Sequence, residues 1–220
     1  MSSLILKDLL IQKKTLGFIL GYSLFLCFAF NSPELAGMVY VMGAMVSSYI
    51  LFLGACAYET KGSSELVLNS FPLRRKDVVR SRYCSAFVFL FLSLVIIGLG
   101  GAVMKGIGLP FPLRYLNWFD VVGVTVSFLL LISFYLPFYF KFGYIRARLV
   151  NVLTFLFFFF VPTYVLNYYR ENSEKEWFRQ AMVFLDNNPA WLIGGLFSVL
   201  FLMLLLSYLL SVKFYQAREF

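Results

Sequence analysis

The sequence predicts an all-α integral membrane protein with six transmembrane helices and both termini on the cytoplasmic side. Three observations support this fold class: the apolar composition, six runs without charged residues, and the unequal distribution of Lys and Arg between the loops. Of the 220 residues, 61% are hydrophobic and 27 are Phe, and the mean hydropathy is +0.82. One soluble core could not bury that much apolar surface and leave a wettable exterior, so the bilayer must act as the solvent.

The six apolar runs contain no Asp, Glu, Lys or Arg. A helix needs roughly 20 residues to cross the hydrocarbon core, and only the first run is clearly shorter. No small-residue cleavage site follows that first run, so we expect a permanent span and not a signal peptide. The chain is therefore predicted to be one transmembrane domain, residues 1–220, with spans at residues 16–30, 36–57, 84–104, 121–140, 149–166 and 191–212.

Orientation follows from the basic residues, because short loops rich in Lys and Arg stay in the cytoplasm. With both termini inside, 14 of the 19 basic residues are cytoplasmic, so the net charge of +8 is a topology signal. No soluble domain is present to carry a basic face for nucleic acid, and we exclude that partner. The cytoplasmic cations are Lys7, Lys13, Lys14, Lys61, Arg74, Arg75, Lys76, Arg80, Arg82, Lys141, Arg146, Arg148, Lys213 and Arg218.

The first fifteen residues are predicted to form an interfacial helix, in which Leu6, Leu9 and Leu10 make an i, i+3, i+4 stripe. An ordinary basic anchor before the membrane is an equally good interpretation. In the first span, Gly17 and Gly21 form a small-xxx-small pair, at which two helix backbones can approach closely.

The outer segments favour contact with lipid headgroups. Two prolines disturb the loop after the third span, and Tyr115, Trp118 and Phe119 are placed to act as interfacial aromatic residues. The longest outer segment, residues 167–190, either dips back into the outer leaflet or forms a surface loop with one amphipathic turn.

An aromatic run in the fifth span ends at Pro162, which lacks a backbone donor and can kink a helix. We favour a lipid-facing surface for this run over a wall that contacts substrate.

Several absences narrow the function. The six spans contain no ionisable residue and the chain contains no His, which argues against ion-coupled transporters, voltage-gated channels and intramembrane proteases. The three cysteines lack metal-ligand spacing, and the phosphate-loop motif is missing. We therefore predict no catalytic, cofactor-binding or metal-binding residue in this chain. Energy for any uphill transport must come from another polypeptide.

The segment "SELVLNSFPLRRKDVVRSRY", residues 64–83, is unusually polar for this chain. It predicts a short helix that ends before Pro72, followed by a second helix that runs into the third span. A positive-inside loop that binds anionic lipid would explain the cations equally well, but it would not explain the hydrophobic part "ELVLNSFP".

This segment resembles the region between the second and third spans of small permease subunits of type-2 ABC exporters. The opening "LILKDLLIQKK" resembles the N-terminal start of the same family. In size and layout the chain is most similar to bacterial permeases that expel amphipathic peptides of the phenol-soluble modulin type. The two motifs cover about 30 of the 220 residues.

The resemblance implies a cytoplasmic coupling helix that docks in a cleft of a separate ATPase subunit, with Arg82 and Tyr83 bracing the start of the third span. One departure is Arg74, which stands where the family usually has a Ser or Thr able to cap the helix. Either Asp77 or a water then caps it, or the helix starts elsewhere. The implied coupling interface comprises Glu65, Leu66, Leu68, Asn69, Ser70, Phe71, Pro72, Leu73, Arg75, Lys76 and Asp77.

The resemblance also implies partners. We expect two cytoplasmic ATPase subunits that bind ATP and Mg, a second permease that is either a copy of this chain or a different one, and lipid of the bacterial cell membrane. The expected function is ATP-driven export of amphipathic or hydrophobic peptides or similar cargo. The competing hypothesis is a membrane scaffold or immunity protein that sequesters a peptide without transporting it.

Overall fold

The computed structural model describes residues 2–29, 36–60, 74–107, 115–172, 175–176 and 189–218. These residues are almost entirely α-helical, and the described parts of the chain contain no strand. The helices are α1 (Ser2–Ile11), α2 (Lys13–Ala29), α3 (Ala36–Thr60), α4 (Arg75–Gly106), α5 (Trp118–Asn172) and α6 (Pro189–Ala217).

Four of these helices, α3 to α6, are long and apolar enough to cross a membrane. The chain is therefore a multi-pass membrane protein. The predicted spans 36–57, 84–104 and 191–212 lie within α3, α4 and α6. The predicted first span falls on α2 as far as residue 29, and α2 meets the criteria for a span only together with α1, from which it is bent by 57°. The count of six spans and the cytoplasmic termini stay predictions.

The predicted fourth and fifth spans form one continuous run, α5, with a kink at Gly143. This buried glycine has φ 75° and ψ 170°, a backbone region that is essentially closed to residues with a Cβ. The helix continues through Pro162, which the sequence marks as a residue able to kink it, as far as Asn172. The chain thus changes direction where a glycine permits it.

The chain forms two compact units. The first comprises Met1–Ile132 with Tyr215–Phe220, and the second comprises Ser133–Phe214. In the first unit α3 and α2 both pack against α4, and α1 contacts all three of these helices. Its core is closely packed: Tyr40 lies directly over Gly101, and the rings of Phe52 and Phe128 meet edge to face with centroids 6.4 Å apart.

Much of the outer surface of the described helices is apolar. On α6 every residue from Gly194 to Val199 is exposed, and Phe87, Phe91 and Leu99 project from α4. The predicted interfacial residues Tyr115, Trp118 and Phe119 are also exposed, and the Lys105 ammonium lies 3.8 Å from the centroid of the Tyr115 ring. Such continuous apolar exposure fits contact with lipid.

We predict that the kink tolerates no side chain at residue 143. Gly143→Ala should destabilise the chain by about 1–3 kcal/mol, because alanine must leave the observed φ and ψ or strain the backbone. The measurement is the free energy of unfolding in mixed detergent micelles.

The matched control on the same helix is Gly123→Ala, where an added Cβ would lie 3.8 Å from the nearest Val41 atom, an ordinary contact distance. Equal stability of the two variants would show that residue 143 does not need a positive φ.

Candidate functional site

The candidate site is the start of α4, which directly follows the polar segment singled out in the sequence. Arg74 is the N-cap residue of α4; its backbone is extended (φ −70°, ψ 134°), and the helix begins at Arg75. No side chain makes a capping hydrogen bond at this end of the helix. Asp77 lies in the first turn, where its charge favours the positive end of the helix dipole. Most of the implied coupling interface, namely Glu65, Leu66, Leu68, Asn69, Ser70, Phe71, Pro72 and Leu73, lies outside the described residues.

A buried ion pair joins α4 to the N-terminal helix. One nitrogen of the Arg82 guanidinium donates to the Asp8 carboxylate at 3.1 Å, and the Ser85 hydroxyl donates to the same carboxylate oxygen at 2.8 Å. The side chains of Asp8 and Arg82 are only 5% and 4% exposed. The role implied for Arg82 in bracing the third span thus has a concrete partner, Asp8, which sequence reasoning did not assign.

The ion pair explains which face of α1 turns inward. Asp8 and Gln12 are one helical turn apart and both are buried, whereas Leu6 and Leu10 on the opposite face are 58% and 65% exposed. The Gln12 amide packs directly against Gly54 of α3, where a side chain would collide with it. The N-terminus does form a helix, α1, which ends at Ile11, and its interfacial location stays a prediction. Leu6 and Leu10 face outward, while Asp8 faces the other helices.

Asp8 had a detectable signal in the sequence. It is the only carboxylate before Glu34, and it stands among three lysines in an otherwise apolar region. A lone acid in such a position is a candidate partner for a cation elsewhere in the bundle. Its partner lies 74 residues away, so no local spacing could identify Arg82.

Arg75 joins α4 to the end of α6. One guanidinium nitrogen lies 3.2, 2.7 and 3.1 Å from the carbonyl oxygens of Tyr215, Gln216 and Arg218. The last carbonyls of a helix have no partner within the helix, and a cation there also complements the negative end of the dipole. Arg75 therefore caps α6 from another helix.

The remaining cations at the start of α4 are directed outward. Arg74, Lys76 and Arg80 are exposed, and within the described part of the chain none of them forms an ion pair or a side-chain hydrogen bond. Tyr83, in contrast, is buried. The first turns of α4 thus combine side chains that hold α1 and α6 with a basic surface that is open to a partner or to lipid.

The other predicted residues play no part in this cluster. Gly17 and Gly21 face open space, so no described helix packs on the small-xxx-small pair. The described residues contain no group of His, Cys, Asp or Glu able to hold a metal ion. Cys56 is buried and Cys84 is exposed, and neither forms a disulfide bond.

We predict strong coupling between Asp8 and Arg82. Replacing one partner, as in Asp8→Leu or Arg82→Met, leaves a buried charge unpaired and should cost about 3–5 kcal/mol of unfolding free energy. The double variant should cost clearly less than the sum of the single variants, which a double-mutant cycle measures.

The control for this cycle is Lys7→Met. Its ammonium lies 3.7 Å from the other Asp8 oxygen but is partly exposed, so its loss should cost less than about 1 kcal/mol. Additive effects of Asp8→Leu and Arg82→Met would contradict the pairing.

We also predict that Arg75→Ala loosens the end of α6. Loss of the cap should speed hydrogen exchange of backbone amides in the last turn of α6 by about five- to tenfold, equivalent to about 1 kcal/mol. The neighbouring variant Arg74→Ala removes an equal charge that makes no such contact, so it should leave exchange unchanged. Similar exchange in both variants would refute the capping role.

Comparison with known protein families supplies the context for this arrangement. A family described as ABC-2 family transporter protein matches residues 3–216, nearly the whole chain and including both Asp8 and Arg82. No curated protein and no solved structure matches the chain significantly. Since the match covers all six helices almost completely, the chain belongs to the ABC-2 family of transporter proteins.

Proposed function

We propose that this chain is the transmembrane subunit of an ATP-driven exporter in the bacterial cell membrane. Membership of the ABC-2 family implies association with ABC ATPase partners in general. In the proposed complex two such subunits bind ATP and Mg and dock on residues 65–77, and a second permease, identical or different, completes the transport pathway.

The observation that carries the proposal is the anchoring of α4 next to the docking segment. Arg75 binds the end of α6 and Arg82 binds α1, so the first two turns of α4 are linked to both helices. A push on residues 65–73 reaches these turns through the chain itself. Docking of an ATPase subunit can therefore move α1, α4 and the end of α6 together.

The outward basic surface supports the same assignment. Arg74, Lys76 and Arg80 are exposed around the start of α4, where a docked partner with acidic residues would find complementary charge. The apolar residues Leu66, Leu68 and Phe71 precede them in the sequence and supply the hydrophobic side chains that a protein interface needs.

The proposed cargo is an amphipathic or hydrophobic peptide or a similar molecule. The predicted spans contain no ionisable residue, and a pathway of this kind offers no specific partner for an ion or a sugar. Apolar and aromatic helix surfaces, in contrast, can bind the apolar face of an amphipathic helix by burying apolar surface, without specific polar contacts.

We predict that Leu66→Asp, Leu68→Asp and Phe71→Asp together abolish coupling. The wild-type chain, tagged and extracted gently from its native membrane, should copurify with an ATPase subunit in a one-to-one ratio. The triple variant should lose that subunit, and cargo export from proteoliposomes should stop, because buried carboxylates oppose docking.

The matched control carries Tyr115→Asp and Phe119→Asp, which introduce carboxylates at exposed aromatic positions outside the docking segment. It should retain the ATPase. Recovery of the wild-type chain alone or with lipid only would overturn the proposal and favour a scaffold that sequesters a peptide. Unchanged export by the triple variant would show that the ATPase docks elsewhere.

A further inference from the structure

The second unit contains an apolar groove between the first half of α5 and the second half of α6. Its volume is about 350 Å³, within the roughly 300–1,000 Å³ of small-molecule sites. Phe138 of α5 and Leu206 and Leu210 of α6 form its walls, and all three are partly exposed, so the groove opens laterally to the membrane. Nothing in the proposed ATPase coupling makes use of this groove.

The length of the groove matches one leaflet of the bilayer. Along α5 the lining runs from Ser133 to Lys141, and along α6 it runs from Met203 to Phe214. At a rise of about 1.5 Å per residue these stretches are roughly 12 and 16 Å long. Half of a hydrocarbon core about 30 Å thick is of the same length. An acyl chain of one leaflet would therefore fill the groove from end to end.

A single cation marks one end of the groove. The Lys141 ammonium lies 5.0 Å from the ring centroids of both Phe142 and Phe214, which hold it at the mouth. Among the described residues it has no carboxylate partner. Lys141 follows directly on the predicted fourth span, at the end that the predicted topology assigns to the cytoplasmic headgroup region.

These observations define the chemistry of the occupant. An apolar slot of leaflet length that ends at an unpaired ammonium complements a molecule with an acyl chain and an anionic head. We infer that the groove is a specific binding site for one anionic phospholipid of the cytoplasmic leaflet, with its phosphate at Lys141 and one acyl chain between α5 and α6.

The test is native mass spectrometry of the full chain, purified and exchanged into mixtures of phosphatidylglycerol and phosphatidylcholine with matched acyl chains. The wild-type chain should retain one phosphatidylglycerol in preference to phosphatidylcholine. Lys141→Gln should weaken this retention about fivefold, the effect expected for one cation near a headgroup.

Two further variants separate the groove from general charge attraction. Lys213→Gln removes an exposed charge from α6 next to Phe214 but outside the lining, and should leave retention unchanged. Leu210→Trp fills the groove without altering any charge, and should abolish retention. Leu206→Trp, at a more exposed wall position, repeats this test with less risk to folding.

Three results would overturn the inference. Equal retention of the two lipids would remove the role of the headgroup charge. Equal effects of Lys141→Gln and Lys213→Gln on lipid retention would show that retention depends on the general positive charge of the chain and not on a specific site. Retention that survives both Trp variants would place the lipid elsewhere, and a change of oligomeric state in those variants would show that a second copy of the chain occupies the groove.

Discussion

The ion pair between Asp8 and Arg82 is the contact on which the arrangement of helices around α4 depends. Both side chains are almost fully withdrawn from solvent, and the attraction between them must offset the large cost of removing two charges from water. The Ser85 hydroxyl further stabilises the buried Asp8 carboxylate by donating a hydrogen bond to the same oxygen. Because the unpaired charges would be so costly, α1 can occupy few positions relative to α4 other than the observed one.

Arg75 extends this constraint to the other end of the chain. It precedes Arg82 by seven residues, or roughly 10 Å along the helix axis, and binds the carbonyl end of α6. The first two turns of α4 therefore hold both the first and the last helix of the chain. Where helices pack mainly through apolar side chains, these polar contacts give a defined geometry that dispersion forces between helices and lipids would not provide.

The sequence predicted the parts of this structure that depend on local composition. Runs without charges located the apolar parts of α3, α4 and α6, because burial in a bilayer imposes a minimum length of apolar helix, although α4 begins nine residues before its predicted span. It did not predict the partner of Asp8, because that contact depends on the tertiary packing of segments 74 residues apart. It also did not single out Gly143, because the positive φ of a glycine becomes visible only in the structure.

The inverted polarity of α1 shows why hydrophobic pattern alone misleads at this site. In a soluble protein, the face carrying Leu6 and Leu10 would turn toward the core, and Asp8 would turn toward water. Here lipid is as apolar as leucine, so burying these leucines against protein yields little free energy, whereas exposing Asp8 to hydrocarbon would be costly. The polar face therefore decides how the helix packs. The same reasoning separates the cations of α4: Arg75 and Arg82 bind within the chain, while Arg74, Lys76 and Arg80 remain exposed at the surface where a partner is proposed to dock.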